Sequence, residues 1–432
     1  MNRKLRTKPL KIGILGFGRE GKSVFKYLKR SSQFKNSKIE ILDKRISENY
    51  LKNLGRFDLI FRSPGIPYNL PELKKARQDG VYFSSVTRLF FENYKGRVIG
   101  VTGTKGKGTT STLLYQMLRN SGKKVFLAGN IGKSAVDSLF KYKDYPLAVL
   151  EFSSFQLQDL DISPEIAVML DVFPDHQDAH ISLSEYYKAK ANIGRFQKKT
   201  DKIFFFADNA KSKQLAMISP ARKFLVDYRK FKSFKKESLK IKGLHNFRNA
   251  VMAATVATNL GADLTTIKNT AQKFRGLEHR LEFVRKIVVR QAHYKTEMSF
   301  YNDSASTNPT TGATALTAFG REKRILIAGG QDKGLDYAPL KRTLKKYPAE
   351  AVILFGENKG KIKKSIVGVC REIRMMENLK AAIEAACKIA KSRKGETNII
   401  FSPSAASFDM FKDYADRGRQ FKHRIMALRS RF

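Results

Sequence analysis

Short apolar runs alternate along this chain with longer stretches whose apolar residues recur three and four positions apart. The runs predict strands at Lys11–Leu15, Ile39–Leu42, Val98–Val101, Val125–Ala128, Ala148–Phe152, Ala167–Leu170, Ile203–Phe206, Arg324–Ala328, Ala351–Phe355 and Asn398–Phe401. In the stretches between, Leu113, Leu114, Met117 and Leu118 share one helical face, as do Ala382, Ile383, Ala386 and Ile389. Alternation of this kind means parallel sheets covered by helices, an α/β fold class. No solenoid period interrupts it.

At roughly 150 residues per domain, 432 residues suggest about three domains. One boundary is expected near Asn93–Gly96, before a new strand opens. Another is expected near Gln291–Met298, between the turn region Gly276–Arg280 and a strand at Phe300–Asp303. The expected units are 1–94, 95–296 and 297–432. Lys and Arg number 83 against 39 Asp and Glu, a net charge of +44. That favours anionic partners such as nucleotides, nucleic acid, phosphorylated substrates or an acidic membrane surface, although a general lysine bias explains it equally well. The two cysteines, Cys370 and Cys387, make no disulfide framework and show no metal-ligand spacing, so a reducing cytoplasm is expected. No stretch approaches the ~20 apolar residues of a membrane span. Between Arg222 and Lys242, nine Lys or Arg interleave with Phe224, Tyr228, Phe231 and Phe234. Aromatics among cations can stack bases, but no RNA-binding signature accompanies them. Strands with aromatics facing the core and lysines facing water are expected here, and no nucleic-acid partner.

The strongest motif is Val101-Thr102-Gly103-Thr104-Lys105-Gly106-Lys107-Gly108-Thr109-Thr110. It follows a strand and opens a helix, the context a phosphate-binding loop requires. Glycines let backbone N–H groups curl around phosphate oxygens, and the helix N-terminus adds positive potential. Lys107 can reach the terminal phosphates, and Thr109 or Thr110 can turn a hydroxyl toward Mg²⁺. Gly103-Thr104-x-Gly106-Lys107 resembles the ATP loop of the Mur ligases and of folylpolyglutamate synthetases. Gly108-Thr109 looks like the variant of the second group, so which hydroxyl meets the metal stays open.

Further segments along the chain, in order, resemble the D-glutamate-adding members of the Mur ligase family. The resemblance implies three α/β domains: a Rossmann-like N-terminal domain binding a UDP-substrate, a central ATPase-type domain with a mostly parallel sheet, and a Rossmann-like C-terminal domain for the amino acid. In Gly16-Phe17-Gly18-Arg19-Glu20-Gly21 and after it, Arg19, Glu20, Asp43, Arg45, Ser63, Gly65 and Asn130 match positions that hold the uridine diphosphate. Glu151 of Glu151-Phe152-Ser153-Ser154-Phe155-Gln156 would hold Mg²⁺. His176, of Asp175-His176-Gln177-Asp178, would hold the second ion near the substrate pyrophosphate. Lys190 matches a lysine that carries CO₂ as a carbamate beside that ion. Asn246 and Asn249 would approach adenine, Arg280 would contact the ATP phosphates, and Asp303 would hold ribose or orient Arg280. Thr307, Lys333, Ser407, the Phe408 backbone and Tyr414 would bind glutamate. Ala305 stands where the family often has Lys. The resemblance implies a cytoplasmic monomer using ATP and two Mg²⁺ ions. It would join D-glutamate to UDP-N-acetylmuramoyl-L-alanine through an acyl phosphate, for peptidoglycan. The expected catalytic groups are Lys107, Glu151, His176, Lys190 and Arg280. A folylpolyglutamate synthetase-like ligase and a basic phosphate-loop protein binding nucleic acid are the alternatives.

Overall fold

A computed structural model of the chain describes residues 9–174, 182–290 and 294–428. These residues form sixteen strands in three sheets. The first sheet holds β1 (Lys11–Leu15), β2 (Lys38–Leu42), β3 (Leu59–Arg62) and β4 (Tyr82–Ser84), in the order β2-β1-β3-β4 and all parallel. The second holds β5 (Arg97–Thr102), β6 (Val125–Gly129), β7 (Leu147–Glu151), β8 (Ile166–Met169), β9 (Lys202–Phe206) and β10 (Arg222–Val226). Its order is β10-β9-β8-β5-β7-β6, again all parallel. The third holds β11 (Glu282–Arg290), β12 (Lys295–Asn302), β13 (Arg324–Ala328), β14 (Ala351–Leu354), β15 (Ile373–Met375) and β16 (Gly395–Phe401). It runs β11-β12-β16-β13-β14-β15, parallel except for the hairpin of β11 with β12.

The ten strands expected from apolar runs all form, within a residue or two at most ends, and the strand expected at Phe300–Asp303 forms as β12, starting earlier and ending at Asn302. Five others, β3, β4, β10, β11 and β15, join them. Between strands run helices whose apolar faces cover the sheets. In Leu379–Lys391, for example, Ala382, Ile383, Ala386 and Ile389 are buried. Only Arg222–Val226 of the basic aromatic stretch is a strand; short 3₁₀ turns follow at Tyr228–Lys230 and Lys236–Ser238. Phe224 stacks on Phe204 with ring centroids 4.6 Å apart, and Phe234 is buried, while Lys230, Lys232, Lys235 and Lys236 face water.

Two compact units result: Met1–Ser233 with Arg248–Ala271, and Phe234–Phe247 with Gln272–Phe432. The first two sheets share a unit because one apolar cluster runs through both. Leu10, Ile12, Leu59 and Phe90 meet Phe126, Ala148 and Phe152 in it. The boundary expected near residue 94 therefore separates two sheets but not two cores; Tyr94 itself lies in the shared cluster. The boundary expected at 296/297 falls inside β12, and the hairpin that begins at Glu282 belongs to the third sheet. Among the described residues, no helix is long and apolar enough to cross a membrane.

Candidate active site

β5 lies between β8 and β7, and the phosphate loop leaves its C-terminal end, where α/β sheets bind ligands. The helix Lys107–Asn120 starts directly after Gly106. Two glycines are required by contact. A Cβ on Gly103 would lie 2.7 Å from that of Leu170, and one on Gly106, at φ 85°, would overlap the Asn249 side-chain amide. Thr104 pins the loop rather than reaching out of it. Its N–H donates to the Asp171 carbonyl at 2.8 Å, and its hydroxyl lies 2.8 Å from the Tyr186 hydroxyl while accepting from the Phe173 N–H at 2.9 Å. Two ammonium groups then converge on one loop carbonyl. Lys107 Nζ donates to Gly103 O at 3.1 Å and to Thr104 O at 3.0 Å, and Lys190 Nζ, only 2% exposed, donates to Gly103 O at 2.7 Å. Lys105 is exposed. Together with the N–H groups of the helix's first turn, this concentrates positive potential at the helix N-terminus, an arrangement suited to phosphate oxygens.

Glu151 ends β7 opposite Val101, next to the loop. It is buried, and its Oε1 accepts from Asn130 Nδ2 at 2.8 Å. On the helix's first turn, Thr109 is half-buried, and the Thr110 hydroxyl is buried with no hydrogen-bond partner among the described residues. His176 and Asp175 lie outside the described residues.

In the first sheet, Gly16 turns at φ 86°, and a Cβ on Gly21 would overlap its carbonyl, so the helix Arg19–Arg30 lies directly on the loop. Asp43 accepts from the Phe17 N–H at 2.6 Å and from both forks of Arg45 at 2.7 Å; these donors hold its carboxyl well below the usual range. Ser63 Oγ donates to Gly16 O at 2.7 Å, and Gly65 is exposed. Arg19 and Glu20 do something the motif alone did not indicate. Arg19 donates to the Gly129 and Gly132 carbonyls at 3.2 and 3.3 Å. Glu20 accepts from Gln156 Nε2 at 2.6 Å, and burial raises its pKa despite that bond. Both side chains brace the first sheet on the second. Sequence reading missed Arg62, which is 2% exposed and pairs with Asp159 at 2.8 Å in the same brace. A lone arginine after an apolar run carries no signal for that.

In the second unit, Arg280 is exposed between two residues with left-handed backbone, His279 (φ 63°) and Leu281 (φ 46°). His279 is buried, and its Nδ1 lies 2.9 Å from Asn302 Nδ2, so Nδ1 accepts and the neutral ring carries its proton on Nε2. Asp303 accepts from Ser402 Oγ at 2.7 Å and from the Leu281 N–H at 3.1 Å; burial nevertheless pushes its carboxyl up to about 7. Arg417, fully buried, donates to the carbonyls of Ser304, Ala405 and Ala406 and so ties the loops after β12 and β16 together. Lys333 and Phe408 meet at the surface, with Nζ 5.4 Å from the ring centre. Ser407 is buried, Tyr414 is half-exposed with its carbonyl accepting from Ser304 Oγ, and Thr307 is exposed. Asn246 is buried and donates to Lys242 O at 2.8 Å.

The model of the Mur ligase middle domain matches residues 101–229, the loop and the strands around it. The UDP-N-acetylmuramoylalanine–D-glutamate ligase of Acetivibrio thermocellus is 33% identical, with 98% of each chain covered. That of Symbiobacterium thermophilum is 34% identical over 88% of this chain and 86% of its own. This chain belongs to the Mur ligase family, among the D-glutamate ligases. Two solved structures share its fold. UDP-N-acetylmuramate–alanine ligase from Thermotoga maritima is 20% identical, covers 97% of this chain and 99% of its own, and gives a TM-score of 0.55. Folylpolyglutamate synthase from the same organism is 14% identical over 78% of this chain and 92% of its own, at 0.53.

Members of this Mur ligase family are ATP-dependent, and the loop suits a magnesium nucleotide. Mg²⁺ keeps several waters and takes one or two carboxylates beside phosphate oxygens. Glu151 and the Thr109 and Thr110 hydroxyls are hard oxygen donors of that kind, and the buried, unpartnered Thr110 Oγ1 is the observation that fits best. Among the described residues, no group of three or more His, Cys, Asp or Glu forms a metal cage, and such an ion does not need one.

Proposed function

We propose that this chain catalyses ATP-dependent addition of D-glutamate to UDP-N-acetylmuramoyl-L-alanine in peptidoglycan precursor synthesis, as a cytoplasmic monomer. The observation that carries this reading is the loop whose Gly103 carbonyl gathers both Lys107 and Lys190, in a chain matched end to end by D-glutamate ligases. A carboxylate is a poor electrophile. One of its oxygens attacks the γ-phosphorus of ATP, the bond to ADP breaks, and an acyl phosphate results. The glutamate amine then attacks the acyl carbon, phosphate leaves with the C–O bonding pair, and the amine gives up a proton. Lys107 and Arg280 offset charge on the transferred phosphoryl group, and preorganised charge of this kind is worth several kcal/mol in a transition state. When bound, Mg²⁺ supplies Lewis-acid neutralisation of the phosphate oxygens.

Thr109 or Thr110, Glu151 and His176 hold metal in this reading. Lys190 first loses a proton to become the neutral amine, which attacks CO₂, forms an N–C bond and releases a second proton, so that the side chain becomes an anionic carbamate whose oxygens suit the ion. Asn246 and Asn249 approach the base, and Asp303 orients Arg280. Asp43, Arg45, Ser63, Gly65 and Asn130 receive the uridine diphosphate, with Arg19 and Glu20 acting through the brace they form. Thr307, Lys333, Ser407, Phe408 and Tyr414 receive glutamate. The test is phosphate release by the purified protein, expected only when ATP, UDP-N-acetylmuramoyl-L-alanine and D-glutamate are all present. Turnover that depends on a folate, with no response to the muramoyl nucleotide, would overturn the reading in favour of the Gly108-type alternative.

A further inference from the structure

Arg248 sits on the helix Leu244–Asn259, immediately before Asn249. Its guanidinium packs on two rings, 4.2 Å from the centre of Phe206 and 4.6 Å from that of Tyr228. Two carboxylates face it at the ends of neighbouring strands. Nη1 and Nη2 fork onto Asp208 at 2.7 and 2.9 Å, and Nη2 also donates to Asp171 at 2.8 Å. The side chain is 11% exposed. A planar fork packed on rings is a geometry that lysine cannot reproduce.

Asp171 is more than a counter-ion. Its own carbonyl receives the Thr104 N–H, so the residue gripped by Arg248 also carries the phosphate loop. One position on, the Asn249 amide fills the space that a Cβ on Gly106 would occupy. The helix therefore meets the loop at two points: directly, through Asn249 on Gly106, and through Arg248, Asp171 and Thr104. A single contact would leave the helix free to roll against the loop; the second removes that freedom.

We infer that Arg248 is a positioning residue of the nucleotide site, holding the base end of the site at a fixed distance from its phosphate end. The inference rests on reading the loop as the ATP site. Its consequence is specific. Phosphate recognition by the loop survives without Arg248, but the extra affinity that a nucleotide gains by reaching both ends is lost, because that gain depends on preorganisation.

The test compares ADP with pyrophosphate as calorimetric ligands of the full-length protein. In Arg248→Met the dissociation constant for ADP is expected to rise on the order of tenfold, while that for pyrophosphate stays within about twofold of the parent's. Michaelis constants for the muramoyl nucleotide and glutamate should likewise hold. Arg248→Lys, which keeps the charge and reaches one carboxylate at a time, should fall between. If the Met variant does not fold, the Lys variant carries the test through the same ratio. An unchanged ratio of ADP to pyrophosphate affinity in a folded variant, or equal losses for both ligands, overturns the inference alone. A parent that binds neither ligand overturns the reading of the loop, and this inference with it.

Discussion

Two lysines on one carbonyl make the Gly103 site chemically unusual, and each can be tested separately. Lys107 is half-buried and donates to two loop carbonyls. Lys107→Ala should abolish ligation while moving the thermal midpoint less than a core truncation would, since the side chain is half-buried and what is lost is transition-state charge; near-normal turnover would remove the loop from the mechanism. Lys190 is buried, so the carbamate reading predicts a different signature. Lys190→Ala should be nearly inactive and partly restored by acetate, which offers an anionic oxygen ligand in the vacated space. Parent-like activity without added carboxylate would defeat it. Asp303 supplies a pH test. Its pKa rises from 3.8 to about 7 on folding, so between these values the folded state binds the proton more tightly than the unfolded chain. Stability is therefore lost as pH rises through that window, by up to about 1.4 kcal/mol per pH unit. Urea unfolding at pH 5 and pH 7 should show this slope in the parent and a flatter one in Asp303→Asn.

At the scale of elements, the helix Tyr414–Ala427 organises the second unit's site through three residues near its start. Arg417 ties the loops after β12 and β16, Tyr414 anchors Ser304, and Gly418 leaves room for the buried His279 ring. Arg280 follows His279 in the chain, so that packing fixes the backbone from which its exposed side chain leaves. Gly418→Ala weighs two effects of opposite sign. Alanine gains about 1 kcal/mol of helix propensity over glycine, but its methyl would overlap an imidazole already bonded to Asn302, and overpacking typically costs about 1–3 kcal/mol. Net destabilisation is expected, read as a lower urea midpoint, with a raised Michaelis constant for ATP as Arg280 shifts. Sequence alone gave no reason for glycine in mid-helix. Among the strands, β4 and β15 are three residues long and only partly buried, and β10 reads Arg-Lys-Phe-Leu-Val, too charged at its start to stand out as an apolar run.

For the molecule as a whole, +44 demands an account. Ion pairs leave this excess untouched, since they take up charge of both signs: Arg248 and Lys422 each meet two carboxylates and Arg62 one. Many remaining cations lie on the solvated surface. Such a surface should bind single-stranded DNA weakly and without sequence preference. By counterion release, affinity should fall by roughly 10³ or more between 50 and 200 mM salt. Fluorescence anisotropy across that range checks this; tight binding that persists at the upper concentration would revive a nucleic-acid function.

What the sequence determined by itself was local. Apolar runs and helical faces encode their own period, and glycine spacing encodes a backbone that can cradle phosphate, so the sheets and the loop were legible without tertiary information. Ordered motifs across the chain carried the family. The tertiary structure decided which charged residues leave water. In so basic a chain one arginine looks like another, yet Arg19, Arg62, Arg248 and Arg417 are committed to carbonyls and carboxylates on other strands and loops, most of them around a hundred residues away. The physical reason is that burial of a charge is stable only where partners converge on it, and convergence is a property of the folded chain.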